Sequence, residues 1–360
     1  MTFISGIGLV TPFGADLDQI WVRLLAGEPP AVEQLTTSLS DRTFPYLAVP
    51  RDAIRTYERH PRLRRSSEIS HFAVIAGLNA MVDAGIDPKS PPANSGVVFA
   101  ISSGGVRYTR RFFDGLIHEG SAAASPLLFP ETVYNAPASH LAAVLGLDGI
   151  SYTVVGDSSV GISALAMGVD LLETGQLDHC IVVGAEEADW ILCQAFKSWR
   201  AFRPSDRLRA FGPARERSTV FSEGAGAIVL SRKGPVEITR IHAGLPFFRQ
   251  SEAKTALNAV FQDLAHGETT SGVVASANGT ALDDVEHQVL DAFFPAAPVY
   301  AVKEMLGESL GASALQQIVT GVLALRKQKF PNSDVLPESV LISALGYNAQ
   351  ATGAILASTS

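Results

Sequence analysis

Short apolar runs rich in valine and isoleucine alternate along this chain with longer stretches whose apolar residues recur at helical spacing. That alternation is the pattern of buried strands covered by helices and predicts an α/β protein. Strands are predicted at Phe3–Leu9, Gly96–Ile101, Tyr152–Val155, Cys180–Val183 and Ala225–Leu230. A second series follows at Val236–Ile241, Gly272–Ala275, Val299–Val302, Val340–Ile342 and Gly353–Leu356. Helical patterns at Ser163–Glu173 and Ala314–Lys327 occupy equivalent places in the two series, as an internal repeat would have them. The turn Arg232-Lys233-Gly234-Pro235 breaks the pattern, and the expected division is into residues 1–233 and 234–360.

Composition narrows the functional classes. A chain of 360 residues, 47% of them hydrophobic, can bury a large core. A formal net charge of -8, with no basic arm, argues against a nucleic-acid binder. No apolar run reaches the length of about 18 residues that spans a bilayer, and the N-terminus has no positively charged leader. The expectation is a cytoplasmic protein without membrane attachment. Cys180 and Cys193 lie in apolar surroundings and read as core residues; with no paired Cys/His spacing, neither a disulfide framework nor a metal is expected. Basic residues gather at Arg203, Arg207, Arg209, Arg215 and Arg217 and again at Arg107, Arg110 and Arg111. Each alone reads as solvated surface; as clusters they suit an acidic partner.

The chemistry-bearing stretch is Gly149–Glu186, where a strand ends in Gly156-Asp157-Ser158-Ser159-Val160 and a helix opens. Ser158 at such a turn faces the positive end of a helix, a place suited to acyl chemistry. The turn departs from the G-x-S-x-G elbow, since Val160 replaces the last glycine; a helix cap is the plainer role for Ser158. A serine hydroxyl needs a general base, for which Asp157 and Glu308 are the candidates.

The same segment resembles the nucleophile region of the beta-ketoacyl synthase (ketosynthase) family of the thiolase superfamily, where a strand leads into T-A-C-S-S-G. The resemblance covers nearly the whole chain: ISGIGLVTPFG, RRSSEISHFAVIAGLNAMVDAGI, SSGGVRYTRRFF, SPLLFPETVYNAPASHLAAVLGLDGISYTV and FSEGAGAIVLSRK each resemble successive family blocks. It implies a thiolase-like fold of duplicated mixed-sheet halves in a layered αβαβα arrangement, with no cofactor. Counting from both sides puts Ser158 where the family has its nucleophilic cysteine. Asn278, in Asn278-Gly279-Thr280, and Glu308, in the block Lys303–Ala312, stand where the two family histidines are expected, while Lys303 is kept. The family's G-F-G-G gate is replaced by Ala344-Leu345-Gly346-Tyr347-Asn348.

Decarboxylative condensation needs an acyl-holding thiol and imidazoles that stabilise the developing anion. An ionised Glu308 would oppose that anion, and pairing with Lys303 is its expected alternative. The resemblance therefore implies a degenerate, chain-length-factor-like subunit that pairs with an active ketosynthase and meets acyl carrier protein in polyketide, aryl-polyene or fatty-acid-like synthesis. Ser158 departs from the glutamine usual in that class. The resemblance further implies Val133, Tyr134, Leu345 and Tyr347 as tunnel or interface residues, and Arg64, Arg65 and Arg209 as carrier-protein contacts. Two readings remain beside it: a Ser158-dependent acyltransferase or hydrolase, and a structural homodimer.

Overall fold

The computed structural model describes all residues except 38–40, 56–59, 148, 267–269, 348–349 and 360. The valine-rich runs form strands β1 (Phe3–Val10), β4 (Ser95–Ile101), β5 (Ser151–Val155), β6 (His179–Glu186) and β8 (Gly224–Ser231). The second series is β9 (Val236–Pro246), β10 (Val273–Val274), β11 (Val299–Tyr300), β12 (Ser339–Leu345) and β13 (Gln350–Ser358). A small side sheet holds β2 (Glu33–Thr36), β3 (Thr43–Leu47) and β7 (Phe221–Ser222). Helices are α1 (Leu17–Ala26), α2 (Arg51–Ile54), α3 (Glu68–Asp83), α4 (Val106–Glu119), α5 (Ala136–Leu145) and α6 (Val160–Glu173). They continue with α7 (Trp190–Ser198), α8 (Gln250–Leu264), α9 (Leu282–Phe293), α10 (Lys303–Leu306) and α11 (Ser313–Lys327).

The main sheet runs β11-β10-β12-β13-β9-β1-β8-β6-β4-β5. Outward from its centre, β1-β8-β6-β4-β5 and β9-β13-β12-β10-β11 share one plan. In each, the first two contacts are antiparallel and the last two parallel. In the sheet the two series are joined where Phe3 and Ile4 pair with Glu237 and Val236, and residues 232–235 form the turn from β8 to β9. The main sheet is thus mixed: helices connect parallel neighbours such as β4 and β5, and of the antiparallel neighbours β12 and β13 follow one another directly in the chain.

Three apolar layers follow from this plan. α3 and α5 pack on the outer face of the first series, α8 and α9 on the outer face of the second, and α6 and α11 fill the space between. The result is the layered thiolase-like αβαβα fold. α11 is buried from Ser313 through Leu325, so its polar residues need partners inside the protein. Gln317 donates to the Ser343 carbonyl at 2.7 Å, and Ser309 donates to Gln316 at 2.7 Å. α6 and α11 approach so closely that a Cβ at Gly161 would lie 2.2 Å from Leu315.

Two predicted strands are much shorter than expected: β10 and β11 have two residues each, because the chain leaves them at once for the loop bearing Asn278 and for the helix that starts at Lys303. Conversely, α6 begins at Val160, three residues before the predicted start. No helix among the described residues is long and apolar enough to cross a membrane.

Candidate active-site cavity

β5 delivers the chain to a tight turn before α6. The Gly156 amide bonds the Ile101 carbonyl at 3.0 Å, and the Asp157 carboxylate accepts from the Ser159 amide at 3.1 Å and hydroxyl at 2.9 Å. Ser159 occupies the cap position and α6 has no side-chain cap bond, so Ser158 does not cap the helix. Instead Ser158, only 3% exposed, lines a cavity of about 460 Å³ with Ser102, Asp157, Phe196, Trp199, Phe202, Leu310 and Tyr347. Among the described residues, none hydrogen-bonds its hydroxyl. A Cβ at Gly346 would meet the Asp157 carboxylate at 2.2 Å, so a larger residue there would have to displace that side chain from the turn.

The cavity wall is aromatic. Asp189 caps α7 by accepting from the Ile191 amide at 3.1 Å, and the helix and its continuation present Phe196, Trp199 and Phe202 at every third position. Phe196 stacks on Phe202 with centroids 4.6 Å apart, and Tyr347 meets both edge-on, at 6.3 and 5.7 Å. Pairs of this geometry contribute about 0.5–1.5 kcal/mol each beyond area burial. Trp199 is 68% exposed at the cavity's edge. Such a chamber suits an apolar acyl or aryl group.

Asn278, Lys303 and Glu308 come together beside this cavity without lining it. Lys303 Nζ and Asn278 Nδ2 both donate to Glu308 Oε2 at 2.8 Å. The other carboxylate oxygen accepts from Ser313 at 2.7 Å and from the Leu310 amide at 2.9 Å. Side-chain exposure is 2% for Lys303 and 0% for Glu308. Burial opposes ionisation of Glu308, yet the charge and hydrogen bond of Lys303 with the hydrogen bonds of Asn278 and Ser313 outweigh it and hold the carboxyl below its ordinary range. Leu310, touching both the carboxylate and the cavity, links the two groups.

A second set of buried acids shapes the walls. Glu186 accepts from the amides of Ser102, Ser103 and Gly311 at 3.1, 3.0 and 3.1 Å, pinning the loop after β4 to the turn before α11. Burial pushes its carboxyl up to about 8 against those bonds. Glu187 accepts from the Arg107 amide at 2.8 Å and from Ser67 at 2.6 Å. Arg107 itself is ion-paired to Glu68 and Glu223. Sequence reading missed this set, although two successive acids closing a buried strand in VVGAEE are an available signal.

The remaining expected residues are dispersed. Tyr347 lines the cavity, but Leu345 is buried in the core between β12, α8 and α9 and does not reach it. Val133 and Tyr134 are partly exposed, Tyr134 at 48%, with its ring against Gly104. Arg64, Arg65 and Arg209 are exposed. Arg217, read as surface, is buried and donates to the Thr280 carbonyl at 3.0 Å and to Asp284 at 2.8 Å; Arg110 pairs with Asp189 at 3.1 Å. Both arginines serve the fold, each joined to an acid distant in sequence, Asp284 and Asp189. Cys180 and Cys193 are buried free thiols pushed up to about 12 by burial, so neither supplies a thiolate near neutral pH. No histidine lines the cavity among the described residues. Asn348, the last residue of the altered gate, lies outside the described residues.

This layered fold is that of ketosynthases. Family models match residues 3–235, as the beta-ketoacyl synthase N-terminal domain, and 237–335, as its C-terminal domain. The chain belongs to the beta-ketoacyl synthase family. It is 24% identical over 365 residues to 3-oxoacyl-[acyl-carrier-protein] synthase 2 of Vibrio cholerae, covering 91% of this chain and 86% of that protein. Among solved structures, the ishigamide ketosynthase/chain length factor superposes with a TM-score of 0.85 at 19% identity, over 100% of this chain and 99% of the other. A ketosynthase in complex with its chain length factor, from Xenorhabdus doucetiae, gives a TM-score of 0.78 at 19% identity, over 99% and 98%.

Proposed function

We propose that this chain is a non-condensing ketosynthase-like subunit of the chain-length-factor kind, pairing with an active ketosynthase in type II polyketide, aryl-polyene or fatty-acid-like chain building. The observation that carries the reading is the Asn278–Glu308–Lys303 cluster. Where condensation requires donors to a developing anion, this chain holds a buried carboxylate kept ionised, and no imidazole lines the cavity among the described residues. The nucleophile position supplies a hydroxyl in place of a thiol. Homologous assemblies point the same way, since one similar structure is a ketosynthase bound to its chain length factor.

A partner surface is consistent with this role. β5 pairs with β4 alone among the described strands, leaving one edge open. Tyr152 and Val155 on it are exposed, as are Phe113 and Ile117 on α4 and Leu127 and Phe129 after it. In this reading Val133 and Tyr134 reach the partner's acyl tunnel and limit chain length by filling it. Arg64, Arg65 and Arg209 steer an acidic carrier protein, with exposed pairs contributing about 0–1 kcal/mol each.

The acyltransferase reading keeps one observation in its favour: Ser158 lines a cavity walled largely by aromatic and aliphatic side chains, and its hydroxyl has no hydrogen-bond partner among the described residues. Co-expression with an intact ketosynthase, followed by malonyl elongation on carrier protein, separates the two. The subunit role predicts that a complex forms, that Ser158→Ala leaves elongation unchanged and that Tyr134→Ala lengthens the products. Loss of activity in Ser158→Ala, or an acyl-Ser158 adduct by mass spectrometry, replaces it with the acyltransferase.

A further inference from the structure

A second cleft of about 460 Å³ opens between α2, the start of α3 and the first turns of α4. Among the described residues, five arginines line it, Arg51, Arg64, Arg107, Arg110 and Arg111, against one carboxylate, Glu68. That carboxylate is already engaged by both Arg51 and Arg107. In a chain of net charge -8 such a concentration of guanidinium groups is unusual.

The arginines fall into two kinds. Arg107 and Arg110 are held by buried acids behind them, Arg107 by Glu223 and the Ala188 carbonyl at 2.9 Å and Arg110 by Asp189 at 3.1 Å, and Arg110 also pairs with the half-exposed Asp114 at 3.4 Å along α4. Glu223 and Asp189 are buried, and none of Glu223, Asp189 and Asp114 lines the cleft. Arg64 and Arg111 have no carboxylate within ion-pairing distance among the described residues, and Arg111 lies 5.2 Å over the Tyr108 ring. Rigid guanidinium groups at the back and unpaired ones at the rim form a set of forked donors that match tetrahedral oxyanions. Ile54 and the Tyr108 ring add apolar wall, and the volume exceeds that of a lone phosphate.

We propose that this cleft binds a small organic phosphate, its phosphate oxygens held by Arg64 and Arg111 at the rim and by Arg107 and Arg110 at the back. The site is separate from the Ser158 cavity, shares no lining residue with it, and does not depend on the chain's pairing with a ketosynthase. The phosphate of a free nucleotide-like ligand and that of a carrier protein's prosthetic arm present the same chemistry.

Calorimetric titration of the purified chain with pyrophosphate, ADP and coenzyme A, at fixed ionic strength near 0.15 M, tests the proposal. Saturable binding below about 1 mM is expected, weakened at least tenfold by the Arg64→Ala/Arg111→Ala double variant. Neither arginine holds a structural ion pair, so that variant should melt as wild type does; Lys89→Ala, which removes an exposed cation outside the cleft, should bind normally. A preference for ADP or coenzyme A over pyrophosphate identifies a free organic ligand. Binding of carrier protein only when it bears its prosthetic arm, competed by pyrophosphate, identifies the arm as the source. No heat with any phosphate, equal heat with chloride, or binding unchanged in the double variant overturns the proposal. Carrier-protein binding that needs Arg64 yet ignores pyrophosphate overturns it too, while leaving the docking role of Arg64 standing.

Discussion

Glu308 is the residue on which the chemistry turns. A carboxylate with no solvent exposure is tolerated only when nearby donors replace its hydration, and four do so here: Lys303, Asn278, Ser313 and the Leu310 amide. Lys303→Met should therefore destabilise the fold by about 3–5 kcal/mol, the usual cost of stranding one partner of a buried pair, measurable by urea unfolding. Replacing both members, as Lys303→Met with Glu308→Leu, should recover most of that loss. A Lys303→Met cost under about 1 kcal/mol would mean that Glu308 is protonated in the native protein and that the charge argument against condensation fails. The approach of Lys303 and Glu308 was legible in the sequence, since both sit in one short block. The acids that organise the cavity were not: Glu186 acts on backbone amides at residues 102, 103 and 311, contacts with no side-chain signature.

At the scale of elements, the period of apolar residues located the long strands and central helices because those are buried on both faces, where composition and conformation agree. It overextended β10 and β11, whose apolar neighbours are buried in loops that turn toward the site. The aromatic wall was also hidden, as Phe196, Trp199 and Phe202 belong to a helix and to the irregular chain after it. The open edge of β5 could not be read from sequence at all, since which strand ends a sheet is decided by connections. That edge has a consequence. An edge strand with exposed Tyr152 and Val155 is a template for a partner, and a charge placed on it blocks pairing. Val155→Lys should weaken the complex with an intact ketosynthase at least tenfold by analytical ultracentrifugation, while circular dichroism stays unchanged. Val22→Lys, at an exposed position on α1, is the control. Equal association by both variants would move the interface away from β5.

The molecule as a whole stores an unusual amount of carboxyl chemistry in its interior. Burial pushes Glu186 up to about 8, Glu223 to about 7 and Asp283 to about 6, and raises Glu187 and Glu286 as well, against the hydrogen bonds and cations around them. In the unfolded chain these groups titrate near 4, so between about pH 5 and 8 the folded protein holds protons that the unfolded chain has released. Their stabilising contribution is complete below the unfolded values and is lost as pH rises through the folded ones. Glu308, shifted downward, acts oppositely, but its contribution is lost only as pH falls below its ordinary range, outside this window. Unfolding free energy should therefore decline by about 3 kcal/mol or more from pH 5.5 to 8.5, each unit of displacement being worth about 1.4 kcal/mol per group. Glu186→Gln should flatten part of that slope, since a glutamine has nothing to release, and the loop at 102–103 would lose its ionised anchor only at high pH. Stability that instead holds level or rises from pH 5.5 to 8.5, measured by urea titration at constant ionic strength, would show that the amides of Ser102, Ser103 and Gly311 keep Glu186 ionised throughout, making it a permanent negative charge next to the Ser158 cavity.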